Sequence, residues 1–202
     1  MKRLDLSARL TTMPQLHEAI RQLAAAWSSS SSCWLLGGSC SLLLQGVELD
    51  KSPNDIDVYA DLRAAKQLHG HAPGRSLDEQ QLSRSEAYLS LLSHYELEGL
   101  TLELVGGFEV YATNSLYRVE IEQVLQSAAP GITISNYSVR LMPLAHELLF
   151  NLLRGREDRY QSIAKTMNTE ADEHRDLLEL LLARNVWSDA HVDHLRRLLN
   201  WL

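Results

Sequence analysis

Two short motifs in the first third of the chain carry residue types that could do chemistry together. Asp55-Ile56-Asp57 places two carboxylates two residues apart, and Gly37-Gly38-Ser39 follows a short apolar run. On a strand, residues two apart share a face, so the two aspartates project together. Like charges side by side repel unless a cation lies between them, and Mg²⁺ is the usual partner of clustered carboxylates. The aspartate pair therefore predicts a magnesium site.

The glycine motif supplies features that suit a phosphate. Gly37-Gly38 lets the backbone approach a ligand without Cβ atoms in the way, and a helix after Ser39 would aim free N–H groups at an anion. The Ser39 hydroxyl adds a donor for a phosphate oxygen. Two Mg²⁺ ions about 4 Å apart can clamp the attacking and leaving oxygens of a phosphoryl displacement. The two motifs together predict a nucleoside-triphosphate site that holds two Mg²⁺ ions.

A third acid is expected on a later strand. Glu103 lies in the segment Leu100–Val105, on the face opposite the leucines of that strand. Burial of a lone glutamate in mid-strand is unfavourable unless it has a partner, which favours a functional role for Glu103. Glu96, Glu98 and Glu109 remain alternatives for the third carboxylate.

The elements that must position these residues follow from hydrophobic periodicity and turn signals. The pattern of the first part of the chain, up to residue 142, predicts strands and short helices, and the pattern of the rest predicts helices alone. The predicted helices cover 14–27, 41–45, 61–69, 143–154, 158–167, a segment opened by a Thr169 cap and ended by Asn185, and a segment from Ser188 to Trp201. The predicted strands cover 33–36, 55–60, 93–98, 100–105, 108–112 and a hairpin of 132–134 with 137–142, while 117–125 is ambiguous between strand and helix.

This order of elements predicts an α+β fold with a mixed sheet flanked by helices and a helical C-terminal part. We expect residues 1–142 to form the core with an N-terminal helix, and residues 143–202 to form a helical region packed on that core. No internal repeat is visible in the sequence.

Composition narrows the partners. The formal net charge of −7 over 202 residues argues against a face built to neutralise a nucleic-acid backbone. Cys33 and Cys40 fit neither a disulfide framework nor a zinc ribbon, so we expect two reduced, buried thiols. The start Met1-Lys2-Arg3 does not lead into an apolar segment, and no run approaches the length of a membrane span. We therefore expect a cytoplasmic protein without a membrane partner, whose oligomeric state the sequence leaves open.

At these motifs the sequence resembles the DNA polymerase β-like nucleotidyltransferase superfamily, whose pattern is Gly-Gly/Ser, a spacer, Asp-x-Asp between hydrophobic residues, and a third acid on a later strand. A second similarity, over 139–164, is to small bacterial members: the lincosamide and aminoglycoside adenylyltransferases and the abortive-infection toxin type. Here Arg154, Arg156 and Asp158 stand in an Arg-x-Lys-Asp-like turn. Many relatives place a lysine in the preceding helix, where this chain has Asn151 nearest.

The resemblance implies a role for each candidate residue. Asp55 and Asp57 would bind both metal ions, and Glu103 would bind the ion that activates the acceptor and accept its proton. Ser39 and the Gly37-Gly38 backbone would hold the β- and γ-phosphates. Arg154 and Arg156 are further candidate triphosphate contacts.

The implied activity is transfer of a nucleoside monophosphate from a nucleoside triphosphate such as ATP to an acceptor hydroxyl, with release of pyrophosphate. The leading interpretation is a small-molecule acceptor. Two alternatives stay open: the same chemistry on a protein or a tRNA, as in toxin-like members, and a non-catalytic module that binds a nucleotide or a protein partner. The presence of all three acids speaks against the non-catalytic alternative.

Overall fold

The computed structural model describes Leu10 and residues 12–202. The expectation about the start Met1-Lys2-Arg3 concerns residues outside this part. The helices are α1 Pro14–Ala26, α2 Gly38–Leu44, α3 Leu62–His69, α4 Gln126–Ala128, α5 Leu144–Leu153, α6 Glu157–Met167, α7 Ala171–Arg184 and α8 Asp189–Leu198. The strands are β1 Trp34–Gly37, β2 Asp55–Ala60, β3 Arg75–Ser76, β4 Gln81–Arg84, β5 Tyr88–Leu97, β6 Leu100–Ala112, β7 Ser115–Arg118, β8 Gly131–Ile134 and β9 Tyr137–Arg140.

Seven strands of the described chain form one mixed sheet in the order β1-β2-β6-β5-β3, in which β4 also pairs with β5 and β7 with β6. The β2–β6 pair is parallel, and the other pairs of this sheet are antiparallel. The hairpin β8–β9 forms a separate two-stranded sheet. With helices packed on it, the mixed sheet confirms the predicted α+β class.

The large sheet separates two hydrophobic cores. Side chains alternate along a strand, so Ile56 and Val58 of β2 face one core with α1, while Tyr59 faces the other core with α5. Every residue of α5 is buried, because this helix lies between the sheet and the later helices. The side of the sheet that α5 covers is the side onto which the odd-numbered residues of β2 project.

Several local predictions were wrong in detail. The helix after the glycine turn begins at Gly38 rather than residue 41, and the predicted strand 108–112 is the continuation of β6. The ambiguous segment divides into β7 and a π-helical turn, Ile121–Leu125. Strands β3 and β4 were not predicted, since they are short and polar. Both pair with β5, which follows β4 after a short turn.

Two predicted helix caps have different outcomes. Ser188 caps α8, because its side chain accepts a hydrogen bond from the His191 N–H. Thr169 does not cap α7: its hydroxyl donates to the Thr166 carbonyl, and Glu170 occupies the cap position. The preceding turn thus uses the threonine hydroxyl before α7 begins.

The cysteine prediction holds only in part. Both cysteines are free; Cys40 is buried, whereas Cys33 is only partly buried and its thiol contacts Gln126. None of the helices over the described residues combines the length and apolarity that crossing a bilayer requires.

Candidate active site

The two predicted acidic strands lie side by side in the sheet. β2 pairs with β6 in parallel register, and this register sets Asp57 directly opposite Glu103 and Asp55 opposite Thr101. Directly opposed residues of neighbouring strands point to the same face, so the three carboxylates share the side of the sheet that α5 covers. The backbone hydrogen bonds of the β2–β6 ladder, rather than contacts between side chains, bring these residues together.

A cleft of about 270 Å³ opens above these carboxylates. Among the predicted site residues, those that line it are Gly38, Ser39, Asp55, Asp57, Glu103, Arg154 and Arg156. Gly37 is the predicted residue that does not line the cleft; it is buried at the end of β1, opposite Asp57. One cavity therefore contains both predicted motifs and the arginine turn.

The environment of Asp57 makes it a strained carboxylate when no cation is bound. Burial first, and then the charges of Asp55 and Glu103, raise the pKa of Asp57 to about 7, against the opposing effect of Arg154 and Arg159. No lysine or arginine of the described chain lies within ion-pair distance of Asp55 or Asp57. Repulsion between clustered carboxylates is the condition that a divalent cation relieves.

The glycine turn is packed directly against Asp57. Gly38 has φ +58°, and a Cβ at this position would lie 1.9 Å from Asp57 Oδ2. Gly37 has a different constraint, since a Cβ there would lie 2.5 Å from the ring of Tyr59. Ser39 follows with its hydroxyl 3.4 Å from Asp55 Oδ1. Only glycines allow this close approach between the turn and β2.

Glu103 has a polar neighbour that the sequence did not suggest. His94 stands opposite Glu103 on β5, with Nε2 3.8 Å from Glu103 Oε1. The other ring nitrogen of His94 bonds the carboxylate of Asp78, which also accepts the His94 backbone N–H. Partial burial acts to raise the pKa of Asp78, but these hydrogen bonds outweigh it and lower that pKa. The imidazole is thereby held in place beside Glu103.

The alternatives to Glu103 lie elsewhere. Glu96 pairs with Arg75 near the sheet edge. Glu98 sits in the β5–β6 turn and accepts from Gln22. Glu109 pairs with Arg118 and is bonded by Tyr111. None of the three lines the cleft formed by the described residues, so the geometry favours Glu103.

The opposite wall of the cleft is basic and comes from the end of α5 and the start of α6. The Arg154 guanidinium lies over the rings of Phe150 and Tyr88, 4.9 Å and 5.7 Å from their centroids. Arg156 is half exposed and pairs with Asp158 at 3.5 Å. Arg154 is therefore held more firmly than Arg156.

Two charged residues that line the cleft were not predicted from the sequence. Arg159 lines the cleft on α6, and its Nη1 atom is buried without a hydrogen-bond partner in the described chain. Glu147 lines it on α5, one turn before Asn151 and two before Arg154. A spacing of four and seven residues puts all three on one helix face, and this pattern was the available signal for Glu147.

The donor set fits a divalent metal, although its carboxylates are not drawn together. No group of three or more His, Cys, Asp or Glu side chains in the described residues is arranged to hold a metal ion as it stands. The three acids nevertheless supply hard oxygen donors on one face, and repulsion from Asp55 and Glu103 adds to burial in raising the pKa of Asp57. Modest side-chain movement toward a shared cation would relieve that repulsion.

Comparisons with known proteins agree with this architecture. No family model and no curated protein matches the sequence. Among solved structures, TM1012 from Thermotoga maritima, a provisionally assigned nucleotidyltransferase, superposes with a TM-score of 0.60 at 19% identity, covering 77% of this chain and 94% of that one. ANT(2")-Ia in complex with adenylyl-2"-tobramycin superposes with a TM-score of 0.52 at 15% identity, covering 84% and 98%.

At such identities the similarity concerns the fold. It spans nearly the whole length of both solved structures and about four fifths of this chain. The resemblance predicted from the glycine turn and the Asp-x-Asp motif is thus confirmed at the level of architecture: this chain has the nucleotidyltransferase fold.

Proposed function

We propose that this chain is a magnesium-dependent nucleotidyltransferase that moves a nucleoside monophosphate from a nucleoside triphosphate to a hydroxyl group of a small molecule. One observation carries the proposal. The parallel register of β2 and β6 sets Asp57 opposite Glu103, beside Asp55, in a cleft whose other wall is arginine-rich. Carboxylates suit Mg²⁺ and arginines suit phosphates. A cleft with both walls therefore suits a magnesium-bound polyphosphate better than Mg²⁺ alone or a polyphosphate alone.

The acidic wall would hold two Mg²⁺ ions through Asp55, Asp57 and Glu103. When bound, the ions neutralise charge on the phosphates and lower the pKa of the attacking hydroxyl. Asp55 and Asp57 project from one strand and would serve both ions. Glu103 lies on the neighbouring strand β6, beside His94. There it would face the acceptor and take the proton of the attacking hydroxyl.

The glycine turn and the basic wall would hold the triphosphate. Ser39 would donate its hydroxyl to a phosphate oxygen, and Gly37-Gly38 would give the chain a close approach. Arg154 and Arg156 would pair with the β- and γ-phosphates, together with Arg159, whose buried Nη1 atom lacks a partner in the described chain. Such groups act by positioning and by offsetting charge as the transfer proceeds.

In the proposed reaction the acceptor oxygen forms a bond to the α-phosphorus. The bond from that phosphorus to the bridging oxygen of the β-phosphate breaks, and pyrophosphate leaves with the bonding electron pair. The hydroxyl proton passes to Glu103. The half-buried position of Glu103 leaves it accessible from the side of the cleft where an acceptor can enter.

The acceptor is inferred from two facts. The net charge of −7 does not favour the phosphate backbone of a tRNA. ANT(2")-Ia, which shares the fold, was solved with an adenylylated aminoglycoside. We extend this to a hydroxylated small molecule for the present chain, and we keep a cytoplasmic location because both cysteines are free thiols.

The test is incubation of the protein with each of the four α-³²P-labelled ribonucleoside triphosphates, Mg²⁺ and three acceptor panels: hydroxylated antibiotics, total tRNA and total protein. We expect a labelled small-molecule product and stoichiometric pyrophosphate. The matched control is Asp193→Ala, because Asp193 is an exposed acid on α8 that pairs with Arg196.

Label in tRNA or protein would replace the small-molecule acceptor with a macromolecule. If Asp55→Ala and Asp57→Ala left nucleotide and metal binding unchanged, and no panel gave pyrophosphate, the enzymatic proposal would be wrong and a non-catalytic module would remain.

A further inference from the structure

A buried glutamate accepts a hydrogen bond from the backbone of the glycine turn, beside Asp57. Glu147 lies in the first turn of α5 and is 2% exposed. Its Oε1 atom accepts the Gly38 backbone N–H at 2.8 Å, and its Oε2 atom accepts Asn151 Nδ2 at 3.2 Å. Both carboxylate oxygens of Glu147 are therefore engaged, one by the glycine turn and one by its own helix.

An acid at this position is unfavourable for the fold alone. Burial first, helped by the charge of Asp57, raises the pKa of Glu147 to about 8, against the lowering effects of Gly38, Arg154 and Asn151. Its neighbours along α5 are mostly apolar and buried. A buried carboxylate reduces stability unless its hydrogen bonds compensate, so its contact with the turn calls for an explanation.

Two carboxylates, those of Asp57 and Glu147, contact the glycine turn. A Cβ on Gly38 would overlap Asp57 Oδ2, and a Cβ on Gly37 would lie 3.3 Å from Glu147 Oε1. Asp57 therefore packs against Gly38, and Glu147 accepts the Gly38 amide hydrogen. A shift of Gly38 would change both contacts at once.

We propose that Glu147 is a positioning residue, which fixes the Gly37-Gly38 turn so that Ser39 and Asp57 keep the arrangement that the transfer requires. The inference rests on the proposed function for its kinetic consequence. Glu147 acts through Gly38 and does not touch the reacting atoms. Because Asn151 and Arg154 follow on the same face of α5, the glutamate also ties the glycine turn to the basic wall.

The first experiment measures amide hydrogen exchange at Gly38 by NMR in the ligand-free protein. In Glu147→Ala we expect exchange about 10- to 100-fold faster than in the wild type, since the Gly38 N–H loses the side-chain oxygen that accepts its hydrogen bond. In Glu147→Gln the amide oxygen can still accept from Gly38, so exchange stays near the wild-type rate.

The matched control is His146→Ala. His146 lies next to Glu147 on the same helix and is equally buried; it bonds Tyr117 and packs beside Tyr59, and its side chain has no hydrogen bond to the turn among the described residues. Loss of its side chain should lower stability without a selective effect on Gly38. Faster exchange at Gly38 in this control would attribute the effect to general loosening of α5 and would overturn the proposal.

The second experiment measures steady-state transfer. Glu147→Ala should lower kcat by about 10- to 100-fold with a smaller change in KM for the nucleotide, and Glu147→Gln should recover most of kcat. Equal kcat in the wild type and Glu147→Ala would contradict the proposal.

Exchange at Gly38 requires no substrate, so its result stands even if the proposed function fails. Equal Gly38 exchange in the wild type and Glu147→Ala would refute the positioning role whatever the activity. Absence of transfer in the wild type would instead refute the proposed function alone.

Discussion

The two walls of the cleft differ in charge and in the way their side chains are held. The acidic wall stands on β2 and β6, where a continuous parallel ladder fixes the backbone of Asp55, Asp57 and Glu103. The basic wall stands at the end of α5 and on α6, where Arg154 is held by stacking on aromatic rings and Arg156 is half exposed.

In the proposed mechanism this difference divides the work of the site. The groups that would hold ions and an attacking hydroxyl in a narrow geometry lie on paired strands, the more rigid support. The groups that would neutralise phosphate charge are long, flexible side chains at a helix junction, where a small displacement matters less. Glu147 joins the two walls, since it belongs to α5 and bonds the turn beside β2.

The largest expected effect tests the acidic wall. Asp57→Asn keeps the shape of the side chain but removes a metal-binding charge, so transfer should fall by roughly 10²- to 10³-fold. Steady-state pyrophosphate release at saturating Mg²⁺ measures this effect. Asp193→Asn, an exposed substitution on α8, should retain full activity. Unchanged activity in Asp57→Asn would remove the acidic wall from the mechanism.

The link between the walls predicts a pH dependence of stability. The pKa of Glu147 is about 8 in the folded protein and near 4.5 when unfolded, so the folded state binds the extra proton between these values. The free energy of unfolding should therefore fall as pH rises from about 4.5 to about 8, by on the order of 4 kcal/mol. Denaturant titrations of the ligand-free protein in this range should show a flatter profile for Glu147→Gln than for the wild type; parallel profiles would contradict the assignment.

Substitution of Glu103 tests whether the acid that the sheet register sets opposite Asp57 is the third catalytic carboxylate. Glu103→Gln should lower kcat by about 10²-fold, because the attacking hydroxyl then lacks the carboxylate that would take its proton. Glu96→Gln is the matched control on the neighbouring strand, where Glu96 pairs with Arg75 outside the cleft. Comparison of kcat for the two variants decides between them, and a larger loss in Glu96→Gln would transfer the role to that residue.

The smallest effects should come from the basic wall. Arg154→Gln and Arg159→Gln should each raise KM for the nucleotide about tenfold with little change in kcat, since each removes one charge-assisted contact. Arg156→Gln should have a weaker effect, because Arg156 is more exposed than Arg159, which also pairs with Asp158, and lacks the aromatic contacts of Arg154. Titrations of the nucleotide at constant Mg²⁺ would give KM for each variant. A larger increase in KM for Arg156→Gln than for the other two would contradict the predicted order of the three arginines.

The sequence alone was sufficient for features that depend on near neighbours along the chain. The strand 55–60 and the hairpin about Ser135-Asn136 follow from alternation and turn residues, and both occur in the structure. The α+β class follows from the order of the elements. The glycine turn and the aspartate pair are local patterns as well, which is why the fold could be predicted from them.

Only the tertiary structure decided which side chains share the cleft. Glu147 and Gly38 are 109 residues apart and meet because α5 packs over the end of β1. His94 lies opposite Glu103 because the β5–β6 hairpin takes one particular register, and a shift by one residue would send the side chain to the other face. Periodicity reports which face of an element is buried, but it carries no information on which distant element covers that face.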